Sequence, residues 1–354
     1  MQKILLFIAS LFYFNSLFAK DEIKSWQGIH ETPLSRLEQQ FADPPVEFAN
    51  HVIWGWEGKM DKKTICNDLD SIKKKGFRAI IFEAGYKLPF KYLSEEWFKA
   101  ICTGVLEAKK RGMKVWIIDE GKYPSGFAGG KFSQERPDLR MQALVIGDTI
   151  QIKRGEVMTN HKIAPEIISA VAVSTSGAPN RTVAINNGEI SFNAGLDDWK
   201  ILLVKSDFRT AVTRAVNNPN GGKDATNSLC DYLNPVAVQQ FIDWTHEQYK
   251  KYLGKELGTT VLGFRGDEPD YAHLPWTPSI VQTFKDTKGY DPTPYLASFF
   301  TTSPTIQEQR VKADYWDVWS SLFATHFFKL QADWCAANGV AHITHLNKEH
   351  EMPA

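Results

Sequence analysis

The chain has 354 residues, with 41 Lys and Arg against 41 Asp and Glu, so its formal net charge is zero. That balance argues against a nucleic-acid or membrane-surface partner recognised through bulk charge. The length is enough for one large domain or two ordinary ones.

The N-terminus, MQKILLFIASLFYFNSLFAKDE, carries one lysine, an apolar run from Ile4 to Phe14 and a small residue at Ala19. It reads as a secretory signal peptide over 1–19, cut after Ala19, which predicts a secreted or periplasmic protein. The alternative, a membrane anchor, needs a longer apolar run, and no later stretch approaches a spanning length. Export permits disulfides. Even so, Cys66 and Cys102 lie on apolar helical faces and read as buried free thiols. No pair among Cys66, Cys102, Cys230 and Cys335 has zinc-ligand spacing.

From about residue 50 strands and helices alternate. HVIWGW (51–56) is a strand. Residues 61–76 place Ile65, Leu69 and Ile72 at helical spacing and stop at Gly76. FRAIIFEAG (77–85) is a second strand, 94–112 a helix capped by Ser94, and MKVWIIDEG (113–121) a third strand. This order means parallel pairing through crossover helices. Residues 140–215 then hold β-branched runs separated by Gly, Asn and Asp, and read as a β-rich insertion with 217–227 as its exit loop. Asn234 caps a helix over 234–254, with Pro235 in its first turn. TTVLGF opens a fourth strand, 306–338 is helical, and GVAHITHLN (339–347) is a fifth strand.

An open doubly wound sheet and a (β/α)8 barrel both fit five parallel strands. No glycine fingerprint follows the first strand, and functional residue types crowd several strand ends, which favours the barrel. The expected α/β fold is therefore a (β/α)8 TIM-barrel-type catalytic domain with a β-rich insertion, incomplete at about five strands. The expected divisions are a signal peptide at 1–19, a first part of the barrel at 20–139, the insertion and exit loop at 140–227, and the continuing barrel at 228–354. Five strands leave two raw edges, so the chain reads as the front of a longer protein.

The strand ends carry Trp54, Glu83, Asp119-Glu120, Asp267-Glu268 and His345, with Glu349 and Glu351 just beyond. In a parallel barrel these ends meet on one face. Several carboxylates in an aromatic-walled cleft suit glycoside cleavage: one carboxyl protonates the leaving oxygen, and another activates water or attacks the sugar. Consecutive strand residues point to opposite sides, so only one of Asp267 and Glu268 enters such a cleft squarely. The pair also fits a solvated strand cap bridged to Arg265. In WIIDEGKYPSGFAGG (116–130), Ser125-Gly126 lacks the glycine two residues upstream that a nucleophile elbow needs, and Gly126 to Lys131 is too short for a phosphate loop. HLNKEH (345–350) misses the zinc spacing H-x-x-E-H. No metal or cofactor is required by these residues.

IIDEGKYPSGFAGG, GFRGDEPDYAHLPWTP and WCAANGVAHITHLNKEHE, in this order, resemble the secreted bacterial proteins of glycoside hydrolase family 106, the α-L-rhamnosidases and their relatives. The resemblance runs from about residue 45 to the end of the chain. It implies a (β/α)8 catalytic barrel with β-rich domains downstream, an inverting two-glutamate mechanism, a glycan substrate and often calcium. By motif position it makes Glu268 the general acid and Glu349 the base, with Glu351 competing for that role. An inverting pair stands ~6.5–9.5 Å apart. Asp119, Glu120, Tyr123, Asp267, His345, Glu351 and Trp54 are the expected substrate-binding residues. The alternatives are a non-catalytic carbohydrate-binding or truncated relative, and a retaining glycosidase for another sugar.

Overall fold

The computed structural model describes residues 33–46, 50–85, 87–121, 123–209, 228–271 and 273–346. The expected signal peptide and exit loop lie outside them. In chain order come α1 (Leu34–Ala42), β1 (His51–Trp56), α2 (Lys62–Lys74), β2 (Ala79–Ala84), α3 (Glu95–Lys110) and β3 (Lys114–Ile118). A short α4 (Lys131–Glu135) leads to β4 (Gln142–Ile152), β5 (Val157–Lys162), β6 (Ile167–Ser174), β7 (Arg181–Thr182), β8 (Ile185–Asn186), β9 (Glu189–Asn193) and β10 (Trp199–Phe208). Then follow α5 (Pro235–Trp244), α6 (His246–Leu253), β11 (Val261–Asp267), β12 (Pro275–Trp276), α7 (Ile280–Lys288), α8 (Ile306–Leu322), α9 (Lys329–Ala337) and β13 (Ala341–His345).

The five strands expected to be parallel form one sheet in the order β1-β2-β3-β11-β13, and every neighbouring pair is parallel. Among the described residues this sheet has two edge strands, β1 and β13, and does not close into a barrel. Its helices start and stop where capping chemistry dictates. Asp61 accepts the Thr64 N–H at the start of α2, and Ser94 accepts the Trp97 N–H at the start of α3. Lysines end both helices, where the helix dipole favours cations. The apolar stripes of α2, α3 and α6 close over one face of the sheet, burying Ile65, Leu69, Trp97, Ile101 and Tyr249 against Trp56, Phe82, Ile117 and Phe264. Each such side chain contributes about 1.5–3 kcal/mol by leaving water. The Trp97 indole N–H donates to the Tyr249 hydroxyl at 3.0 Å and ties α3 to α6.

The single helix expected over 234–254 breaks at Thr245, whose φ of −114° and ψ of −83° leave the helical region. The Phe241 carbonyl there accepts both the Thr245 N–H at 3.0 Å and the Thr245 hydroxyl at 2.7 Å. The long helix over 306–338 is continuous but widens to a π-turn at Phe323–Phe328.

The β-rich segment forms a five-stranded sheet, β12-β4-β10-β6-β7, and a three-stranded sheet, β5-β9-β8. Helices α7 and α8 cover the larger one: Ile280, Phe284, Val311 and Tyr315 pack on Leu144, Val171, Leu202 and Val204. Strand β12 comes from the segment after β11 and pairs Pro275 with Ala143 and Trp276 with Gln142. The loop that leaves the fourth parallel strand is thus stitched into the second sheet.

Candidate active site

Side chains alternate between the two faces of a strand. Trp56, Phe82, Ile117 and Phe264 belong to the helix-covered core. The intervening positions therefore share the other face, and on the two edge strands they are the more exposed ones: Ile53 is 47% exposed and Ile343 41%. The register aligns this face in layers. Gly55 pairs with Glu83, Arg265 with Ile118 and Ile343, and Asp267 with His345. Below them the Trp116 ring lies across Gly263, where a Cβ would stand 2.6 Å from Trp116 Cζ3 and 2.1 Å from the Ala341 carbonyl oxygen. Only glycine admits both neighbours there.

The open face thus carries Glu83, Arg265, Asp267 and His345. The Arg265 guanidinium meets Asp267 Oδ1 at 3.1 Å, with the two side chains 17% and 20% exposed. This is the bridge that the strand-cap alternative anticipated. Glu268 departs from strand geometry: its φ is 39°, in the left-handed region. Alternation alone would send Asp267 and Glu268 to opposite sides. The left-handed step instead brings both toward one imidazole, with His345 Nδ1 3.6 Å from Asp267 Oδ1 and 3.2 Å from Glu268 Oε1. The Glu268 side chain keeps 32% of its surface in water, and its N–H donates to the His345 carbonyl at 2.8 Å.

The other acidic pair has a different environment. Asp119 and Glu120 are fully buried. Glu120 accepts backbone N–H groups from Gly121, Phe127, Ala128 and Gly129 at 2.6, 2.8, 2.5 and 3.0 Å. Burial raises its pKa to about 8 against the pull of those donors toward the charged form. Asp119 Oδ1 accepts the Ser125 hydroxyl at 2.6 Å, while its Oδ2 is buried without a hydrogen-bond partner. Burial raises the Asp119 carboxyl to about 7, opposed by Ser125 and reinforced by nearby Asp267. Asp119 and Glu120, expected to bind substrate, are thus both turned into the loop 119–130 and hold it. Gly126 in that loop has a φ of 97°, and a Cβ there would stand 2.5 Å from the Tyr232 ring.

Trp54 was likewise expected to bind substrate. It lies on the helix-covered side, edge-on to Trp56 at 5.4 Å and to Phe82 at 5.6 Å, so it packs the core and does not line the open face. Tyr123 sits half-buried in the loop 119–130. Glu349 and Glu351 lie outside the described residues. Among the described residues no three His, Cys, Asp or Glu side chains converge as metal ligands, and no step below runs through a metal. Sequence reasoning placed Glu83 among the strand-end acids but missed Arg265 and Ser125 as members of the constellation. The signal for Arg265 was its spacing of two from Asp267, which puts both on one strand face.

A profile of glycoside hydrolase family 106, described as alpha-L-rhamnosidase, matches residues 148–353. A protein of Formosa agariphila, provisionally named a beta-glucuronidase, is 23% identical over 363 residues, which cover 87% of this chain and 30% of that protein. The solved rhamnosidase of Novosphingobium sp. PP1Y matches with a TM-score of 0.64 at 14% identity, over 89% of this chain and 47% of its own. At that identity the likeness concerns the fold. The chain spans less than half the length of either relative.

Proposed function

This chain belongs to glycoside hydrolase family 106, the α-L-rhamnosidase family, and from that premise we propose that the protein hydrolyses a terminal α-L-rhamnosyl residue from a glycan. The supporting observation is the position of Glu268, solvent-accessible at the C-terminal end of β11 and 3.2 Å from His345 Nδ1. In the proposed reaction Glu268 donates its proton to the leaving glycosidic oxygen. Glu349, with Glu351 as its competitor, takes a proton from water attacking the opposite face of the sugar, and the anomeric centre inverts. Asp267, His345 and Arg265 orient Glu268 and the bound ring. Tyr123 is proposed to line the same end of the sheet. The protein is exported, its mature chain starting at Lys20, which N-terminal sequencing of the secreted form tests directly.

A second reading, a uronic-acid substrate, is favoured by one observation: Arg265, on the open face, is a carboxylate-binding residue type. Its guanidinium is already paired with Asp267. Glu83, Asp267 and Glu268 also leave the face with more acids than bases, which disfavours an anionic sugar. Incubating the natural full-length protein with phenyl α-L-rhamnoside and phenyl β-glucuronide separates the readings. Free rhamnose, lost in Glu268→Gln, is the expected result. Release of glucuronate alone establishes the second reading. Release of neither, with retention on immobilised glycan, assigns a non-catalytic carbohydrate-binding role.

A further inference from the structure

Ser125 is 1% exposed, and each of its polar atoms is engaged at the end of β11. Its N–H donates to the Asp267 carbonyl at 2.9 Å. The Asp267 N–H donates in return to Ser125 Oγ at 2.7 Å. The Ser125 hydroxyl donates to Asp119 Oδ1 at 2.6 Å, and its carbonyl accepts the Tyr232 hydroxyl. A serine hydroxyl has one proton and can rotate. With that proton given to Asp119, the oxygen lone pair is fixed toward the Asp267 N–H.

Asp267 is thereby gripped through both backbone polar groups, one residue before Glu268. The peptide that joins Asp267 to Glu268 is also held at its other polar group, the Glu268 N–H, by the His345 carbonyl. Directly after this held peptide Glu268 adopts a φ of 39°, a conformation that is costly for a residue with a Cβ and persists only when its surroundings impose it. Glu120 secures the same loop through the N–H groups of Phe127, Ala128 and Gly129.

We infer that Asp119 and Ser125 form a latch that aims the Glu268 carboxyl, so that both are positioning residues for proton donation to the leaving group. This rests on the assignment of Glu268 as the acid, and it gives a purpose to two residues that no direct substrate contact explains.

The test uses the natural full-length protein and two substrates, phenyl and dinitrophenyl α-L-rhamnoside. A dinitrophenolate departs without protonation, whereas phenolate needs the acid. Ser125→Ala should lower kcat on the phenyl glycoside by about 10- to 100-fold and on the dinitrophenyl glycoside by less than about 3-fold. Asp119→Asn keeps an acceptor oxygen for the Ser125 hydroxyl and should restore most of the phenyl rate, whereas Asp119→Ala should not. Glu268→Gln is the reference and should show the same leaving-group dependence more steeply. Equal losses on both substrates in Ser125→Ala, beside a steep Glu268→Gln, overturn the latch and leave the acid in place. A Glu268→Gln that slows both substrates equally removes the acid assignment, and the latch falls with it. If Ser125→Ala is poorly folded, the Asp119→Asn and Asp119→Ala pair decides the question: similar phenyl rates in the two overturn it.

Discussion

Two strands of the parallel sheet end in the same dipeptide, Asp-Glu, and the protein puts them to opposite uses. After β3, Asp119 and Glu120 are fully buried. After β11, the Asp267 and Glu268 side chains keep 20% and 32% of their surface exposed. The residues that follow make the difference. The first pair precedes KYPSGFAGG (122–130), whose glycines let the backbone curl back and present N–H groups to Glu120. The second precedes Pro269, which offers no N–H, and a segment drawn away by the pairing of β12 with β4. A strand-end acid pair is therefore not in itself a catalytic signature. An acid that its own loop saturates with donors is structural, and an acid whose loop leaves it is available.

The sharpest way to break this contrast is to neutralise one glutamate of each pair. Glu268→Gln should lower kcat on a poor leaving group by about 10²- to 10⁴-fold, with the melting temperature unchanged. Glu120→Ala should do the reverse: it strands buried N–H groups and should cost about 3 kcal/mol or more of stability, read from denaturant unfolding. If Glu120→Ala folded normally and lost only activity, the two pairs would be equivalent and the contrast wrong.

A pH series probes the buried side of the comparison. Burial raises Asp119 and Asp231 from 3.8 to about 7. Between those values the folded protein holds protons that the unfolded chain releases, so stability should be greatest at the acidic end and fall as pH rises through about 7. Unfolding midpoints measured across that window should decline, and less steeply in Asp119→Asn. A midpoint that rises with pH would contradict the buried assignment. The smallest effect is expected at Trp54. Trp54→Phe should alter KM by less than about 2-fold, since the ring faces the helices and not the open side. A large rise in KM would restore it as a sugar-binding residue.

Much of the architecture was legible because its signals are local. β-branched runs, Ser94 as a cap, and Gly76 and Gly112 as stops placed the five parallel strands and the helices between the first three. The Asp267-Glu268 pair stood out because Pro269 truncates the strand at once. What escaped depends on distant partners. The left-handed turn at Glu268 is held by Ser125 and by the His345 carbonyl, both remote in sequence. Alternation divides β1 into two faces without saying which one the helices cover, so the packing of Trp54 on the helix side was not legible. The break at Thr245 falls where a hydroxyl also bonds the Phe241 carbonyl, an option that a helical apolar pattern does not reveal. The fate of Asp119 and Glu120 required knowing how the glycines after them fold back.

The left-handed backbone at Glu268 also has a consequence for how this protein would respond to selection. Glycine accepts that conformation freely, whereas glutamate bears a cost of about 1–2 kcal/mol. Glu268→Gly should therefore give a slightly hardier protein that has lost its proposed acid. A library sorted only for thermal resistance or expression would enrich changes at this position and erase the chemistry. A library sorted for sugar release would purge the same variants.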